Sequence, residues 1–135
     1  MNDQFKNPLY HIPEGCILCG SSALEFMGYF SGYLYDDTIY VYARDPEHFP
    51  NHIRIVPMPS ASVNIGERNG IRYTSFAQTV NDMLSNAELS DPDALMESLY
   101  DYLAAHNGQD PDIRADNIER YNYYKGLCRN YYSEA

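Results

Sequence analysis

The residues best suited to chemistry open near the N-terminus, in EGCILCGSSALEFMGY (Glu14 to Tyr29), where Cys16 and Cys19 stand three apart ahead of Gly20-Ser21-Ser22. A C-x-x-C pair does redox or metal work when both thiols open a helix. Here the apolar Ile17 and Leu18 between them predict a short buried strand. In a strand, residues three apart lie about 10 Å from each other and point to opposite faces, beyond the roughly 7 Å limit for a disulfide. Cys128 is the only further thiol, and Pro50 between His48 and His52 spoils a helical i,i+4 presentation. The expectation is buried structural cysteines, with no metal and no cofactor.

Gly20-Ser21 at a helix start, followed by Asp36 and Asp37 opening a strand, has the order of a minimal nucleotidyltransferase site. Such a site needs two carboxylates alternating on one strand face to clamp metal ions. Asp36 and Asp37 are adjacent and diverge, with Thr38 and Ile39 at the alternate positions. Nucleotide handling through Ser21, Asp36 and Asp37 is therefore carried as the alternative reading, and the leading one has no catalytic residue. His11, His48, His52 and His106 are scattered, without an HExxH pair or a G-x-S-x-G elbow.

The elements that must position these residues divide the chain into β and α halves. Residues 1–13, with Pro8 and Pro13, read as an extended lead-in to a single domain over 14–132. Ser22 and Glu25 have capping-box spacing, predicting an early helix over about 22–30 that buries Leu24 and Met27 and ends in the region of Gly28 and Gly32. Thr38 to Ala43 and the run HIRIVPMP read as strands, and Asn69-Gly70 supplies the positive φ angles of a hairpin between two short arms. Three helices follow: one from Ser75, whose capping-box partner is Gln78; one capped by Asp91 with Pro92 in its first turn and Gly108 beyond its end; and one from about Ile113. This is an α+β chain with a small mixed or antiparallel sheet, one early helix and a C-terminal set of three helices.

Nineteen acidic against nine basic residues give a formal net charge of −10, which makes a nucleic-acid backbone an unfavourable partner for this chain alone. No apolar run approaches the roughly 20 residues of a membrane helix, and no leader pattern opens the chain, so a cytoplasmic protein is expected. From Tyr73 to Ile113 there is no Lys or Arg, while Asp82, Asp93, Glu97, Asp101 and four further acids fall there. Such a segment is either a solvated helical surface or an acidic face for a basic protein partner. The C-terminal tyrosines interleaved with Arg120, Lys125 and Arg129 could stack bases, but they equally have the composition of a protein-binding surface.

Through Ser22-Ala23-Leu24 with Gly28-Tyr29, the strand DTIYVYA, and YTSFAQTVNDML followed by DPDALMESLYDYL, the chain resembles the C-terminal domain of AbiEi-type antitoxins of bacterial abortive-infection toxin–antitoxin pairs. The resemblance covers most of residues 14–125. It implies a non-enzymatic protein that counters a toxin or mediates protein contacts. Gln78 precedes Thr79 where those antitoxins carry an Arg-Thr pair, and Asp82 stands where they often have an acid. Their winged helix lies N-terminal to this domain and is not expected here, so direct DNA binding is not implied. Gln78, Thr79 and Asp82, read as an exposed edge, together with Asp93, Glu97 and Asp101, are the expected partner contacts. Ser22, Ala23, Leu24, Glu25, Gly28, Asn69, Gly70, Cys16 and Cys19 are expected to be structural.

Overall fold

The computed structural model describes residues 12–32, 38–44, 49–60 and 62–132. Strand β1 is only Ile17–Leu18, followed at once by helix α1, Gly20–Met27; β2 is Ile39–Ala43 and β3 Ile53–Pro57. The hairpin of β4 (Ile65–Arg68) and β5 (Ile71–Thr74) leads into α2 (Phe76–Ser85), α3 (Pro92–Ala105) and α4 (Ile118–Tyr132), with 3₁₀ turns at Ala87–Leu89 and Ala115–Asn117. None of the helices, among the described residues, is long and apolar enough to cross a membrane.

The strands form one mixed sheet in the order β3-β2-β1-β5-β4. β1 pairs antiparallel with β2 and parallel with β5, while β2 and β3 run parallel. The hairpin is turned by Asn69 (φ 54°) and Gly70 (φ 79°), the left-handed pair that matches strand twist. Pleat alternation then sorts the core. Ile17, Cys19, Tyr42 and Val56 join Val80, Met83, Leu95 and Leu99 of the later helices, whereas Cys16, Leu18 and Val41 join Ala23 and Phe26 of α1.

Helix α1 begins two residues before its expected start. Cys19 is its N-cap, with extended backbone and no side-chain cap bond. Ser22 is therefore inside the first turn, and its hydroxyl instead accepts a 2.9 Å bond from the backbone N–H of Tyr40, pinning α1 to β2. The competing strand N–H has taken the acceptor that a capping box would use. Gly28 (φ 89°) ends the helix in a left-handed cap. The Arg68 guanidinium donates to the Phe26 carbonyl at this end and lies 4.4 Å from the centre of the Phe26 ring.

Helix α2 is capped by Ser75, which accepts from the Gln78 N–H, but Gln78 does not reach back to complete a box. Its side-chain oxygen accepts from the Asn64 N–H, a loop donor that has no strand partner. Asp91 caps α3 with Pro92 in the first turn, as the sequence predicts. The last helix starts at Ile118, not Ile113, because residues 111–114 form no helix and are held against α2 before the 3₁₀ turn. Asn81 fixes that segment: its Nδ2 donates to the Asp112 carbonyl (3.0 Å) and its Oδ1 accepts from the Arg114 N–H (2.9 Å).

Candidate functional site

Helices α3 and α4 pack against each other and carry most of the exposed large apolar side chains among the described residues. On α3, Ala94, Leu95, Ser98 and Leu99 face inward. The i,i+4,i+8 spacing of Asp93, Glu97 and Asp101 lays three carboxylates along the other side, where Asp93, Tyr100 and Asp101 are exposed. None of these three acids pairs with a Lys or Arg among the described residues. Partial burial, and then the charge of Glu97, raise the Asp101 carboxyl above its ordinary pKa. Glu97 also has a fixed internal role, because its carboxylate accepts 2.7 Å and 3.3 Å bonds from the backbone N–H and hydroxyl of Ser31, tying the loop after α1 to α3.

On α4, Tyr121 and Cys128 are buried, and Tyr121 donates a 2.7 Å bond to Asp110. Lys125 also reaches Asp110 at 2.8 Å, and these two hydrogen bonds hold the Asp110 carboxyl below the usual carboxylate range. Four large apolar side chains nevertheless stand exposed on these two helices: Tyr100, Ile118, Tyr123 and Leu127, with Tyr123 the most open at 64%. Tyr123 and Leu127 are one turn apart on α4, so they share a face.

Of the predicted edge, Gln78 is half-buried, whereas Thr79 and Asp82 are buried. Thr79 is fully buried, bonded to the Thr74 hydroxyl at 2.6 Å and to the Ser75 carbonyl at 2.7 Å. Asp82 is 6% exposed and accepts from Tyr42 Oη (2.8 Å) and Gln78 Nε2 (2.9 Å). Burial raises its pKa; the two hydrogen bonds and the Arg114 charge act against that rise. Helical geometry explains the difference: Thr79 and Asp82 flank Val80 and Met83 on the stripe that meets the sheet. Polar identity alone suggested a surface, but each group found a fixed internal partner.

Asn81 and Asn117 were not singled out from the sequence, yet they organise this region. The fully buried Asn117 donates to the Asn81 carbonyl (3.2 Å) and Oδ1 (3.0 Å), and its own Oδ1 accepts from Ser85 (3.1 Å) and Arg120 (3.1 Å). The usable signal was the polar run Gln78, Asn81, Asp82, Ser85, which recurs at helical spacing inside an otherwise amphipathic helix.

Cys16 and Cys19 are both buried and belong to the two different apolar clusters, while Cys128 is buried under α4. Burial pushes all three thiols up in pKa, away from the thiolate that redox or metal chemistry requires. Among the described residues no group of three or more His, Cys, Asp or Glu could hold a metal ion. Ser21 is half-buried beside Gly20 (φ 55°), where a Cβ would meet Leu89 Cδ2 at 3.0 Å. Leu89 thus covers the start of α1. Asp36, Asp37, His11, His48 and nearly all of the lead-in lie outside the described residues. No protein-family model, curated protein or solved structure matches this chain.

Proposed function

We propose that the chain is a non-enzymatic, protein-binding module of the antitoxin kind, which engages a basic partner through α3 and α4. The observation that carries this reading is the pairing of two features on adjacent helices: Asp93, Glu97 and Asp101 without a Lys or Arg partner among the described residues, and exposed Tyr100, Tyr123 and Leu127. Aromatic and apolar anchors with a charged surround are the composition of a protein interface. Like charges at i,i+4 weaken an isolated helix, so the acidic row is unfavourable for the free protein and becomes favourable against a basic surface. The resemblance of the apolar framework to the AbiEi antitoxin domain agrees with a toxin-opposing role, in bacteria and in the cytoplasm.

Nucleotidyl transfer has less support. Phosphate would have to approach Gly20-Ser21, where Leu89 packs over Gly20 and the Ser22 hydroxyl is committed to Tyr40.

The test is coexpression with a nucleotidyltransferase-like toxin encoded beside this chain's gene. Wild-type protein is expected to restore growth, and the Asp93→Lys/Asp101→Lys variant to restore it less, at equal soluble level. Asp101→Lys also creates a favourable Glu97–Lys pair near the helix end, so it should not weaken the fold. Absence of rescue by the wild type sinks the antitoxin reading, and full rescue by the variant removes the acidic row from it.

A further inference from the structure

The eight Lys and Arg side chains of the described residues are not equivalent. Arg54 pairs with Glu88, Arg114 with Asp116 and Lys125 with Asp110. Arg68 and Arg120 donate to main-chain carbonyls, and Arg129 is engaged as well. Arg44 and Arg72 alone, among the described residues, have no hydrogen bond, ion pair or ring contact. In a chain of net charge −10 the cations are scarce, so two without a close ion pair are informative, although Glu67 stands opposite Arg72 across β4 and β5.

Both line the same cleft, of about 800 Å³. That volume lies within the range of small-molecule sites. The topology explains the convergence. Arg72 is paired with Ile17 across β5 and β1, and Ile17 with Tyr42 across β1 and β2, so these three share one sheet face. Arg44 follows β2 two residues beyond Tyr42, so two strand spacings across the sheet and two residues along it separate the two arginines by roughly 12 Å at the backbone. Two guanidinium arms starting that far apart can close on one anionic group from either side. The space between them is floored by Ile17, Ala43, Phe49, Met58 and Val63. Ser60 and Ser62 supply hydroxyls at the wall, and Glu14 supplies a hydrogen-bond acceptor.

From this arrangement we infer that the cleft binds a small organic anion with a planar apolar body, of the mononucleotide or aryl phosphate class. The anionic group sits between Arg44 and Arg72, where charge-assisted and bidentate hydrogen bonds are strongest. The planar body lies on Phe49 and Met58, and Glu14 accepts from a ring amino or hydroxyl group. The site is separate from Ser21 and from the α3–α4 surface, and it involves no group transfer.

Titration calorimetry of the intact chain at low ionic strength tests this with adenosine monophosphate, phenyl phosphate, inorganic phosphate and adenosine. The two aryl or heterocyclic anions are expected to bind saturably at one site. Inorganic phosphate and adenosine, each lacking half of the recognition, are expected to bind at least about tenfold more weakly. Arg44→Gln and Arg72→Gln should each weaken the anions roughly tenfold, and Arg54→Gln should leave them unchanged. Because Arg44 and Arg72 are exposed and their side chains have no hydrogen bond or ion pair among the described residues, both variants should keep the wild-type melting temperature. No saturable binding of either organic anion up to about 10 mM overturns the inference. So does undiminished binding in the double variant, or equal binding of inorganic phosphate.

Discussion

Tyr42 Oη donates a 2.8 Å hydrogen bond to Asp82 Oδ2, joining the second strand to α2 across the buried face of the sheet. Among the described residues, Gln78 is the other side-chain donor that offsets the burial of this carboxylate. Tyr42→Phe keeps the ring in its fully buried site and removes the donor alone. It should cost about 1.5–3 kcal/mol at pH 7, the range for a buried bond to a charged group. Asp82 has a raised pKa in the folded protein, so the folded state takes up its proton first. The cost of a charged Asp82 is then absent below the unfolded value and grows as pH rises through the folded one. Urea denaturation should show a smaller deficit for Tyr42→Phe near pH 4 than at pH 7; an equal deficit at both would mean that Asp82 charge plays no part.

Asp110 behaves in the opposite sense. Its carboxyl is held low by Lys125 and Tyr121, so the stability it contributes is present above the unfolded carboxylate pKa and is lost as pH falls through the folded one. Its side chain is about half exposed, which limits the ion-pair share to less than about 1 kcal/mol. Asp110→Ala should therefore lower the melting temperature modestly at pH 7 and leave it close to wild type near pH 2. A deficit that persists in acid would place the effect in loop geometry.

The Asn81–Asn117 pair has no apolar substitute at one side only. Truncating Asn117 to Ala leaves the Asn81 carbonyl and Oδ1, Ser85 and Arg120 short of a partner, and should cost about 2–3 kcal/mol. Asn81→Ala should cost a similar amount and also release the 111–114 segment to proteolysis. The double variant should fall well short of the sum, because both changes break one network. Additive losses would show that the two side chains act independently.

Native protein should react slowly with a thiol-specific aromatic disulfide at pH 8, since Cys16, Cys19 and Cys128 are buried with raised pKa values. Denaturant should expose three equivalents, as the sequence contains. Fast labelling of one thiol in the folded state would locate a local opening.

Much of this architecture can be read from letters whose effect is local. Asn69-Gly70, Asp91-Pro92 and the alternation of Ile39 to Ala43 each act within a few residues, and the hairpin, the α3 cap and β2 follow them. The misplaced features depend on groups distant in sequence. Ser22 has cap spacing, but Tyr40 claims its hydroxyl; Ile113 has helix periodicity, but Asn81 claims the chain beside it. Thr79 and Asp82 look like surface until Thr74 and Tyr42 are brought against them. The acidic row on α3 was legible because helical spacing alone creates it. The two arginines without a close ion pair were not, since their shared cleft exists only once β2 and β5 flank β1.

That flanking arrangement also constrains how the chain is made. The middle of the sheet is the two-residue β1, synthesised before the other strands, and one of its two neighbours is β5, which leaves the ribosome only after β2, β3 and β4. Until the hairpin emerges, Ile17 and Leu18 offer an open strand edge to any extended peptide nearby. Closure of the sheet is thus a late, long-range event. A fragment that stops before Thr74 lacks the strand that completes its centre, so the natural unit of folding is the chain through α2 at least.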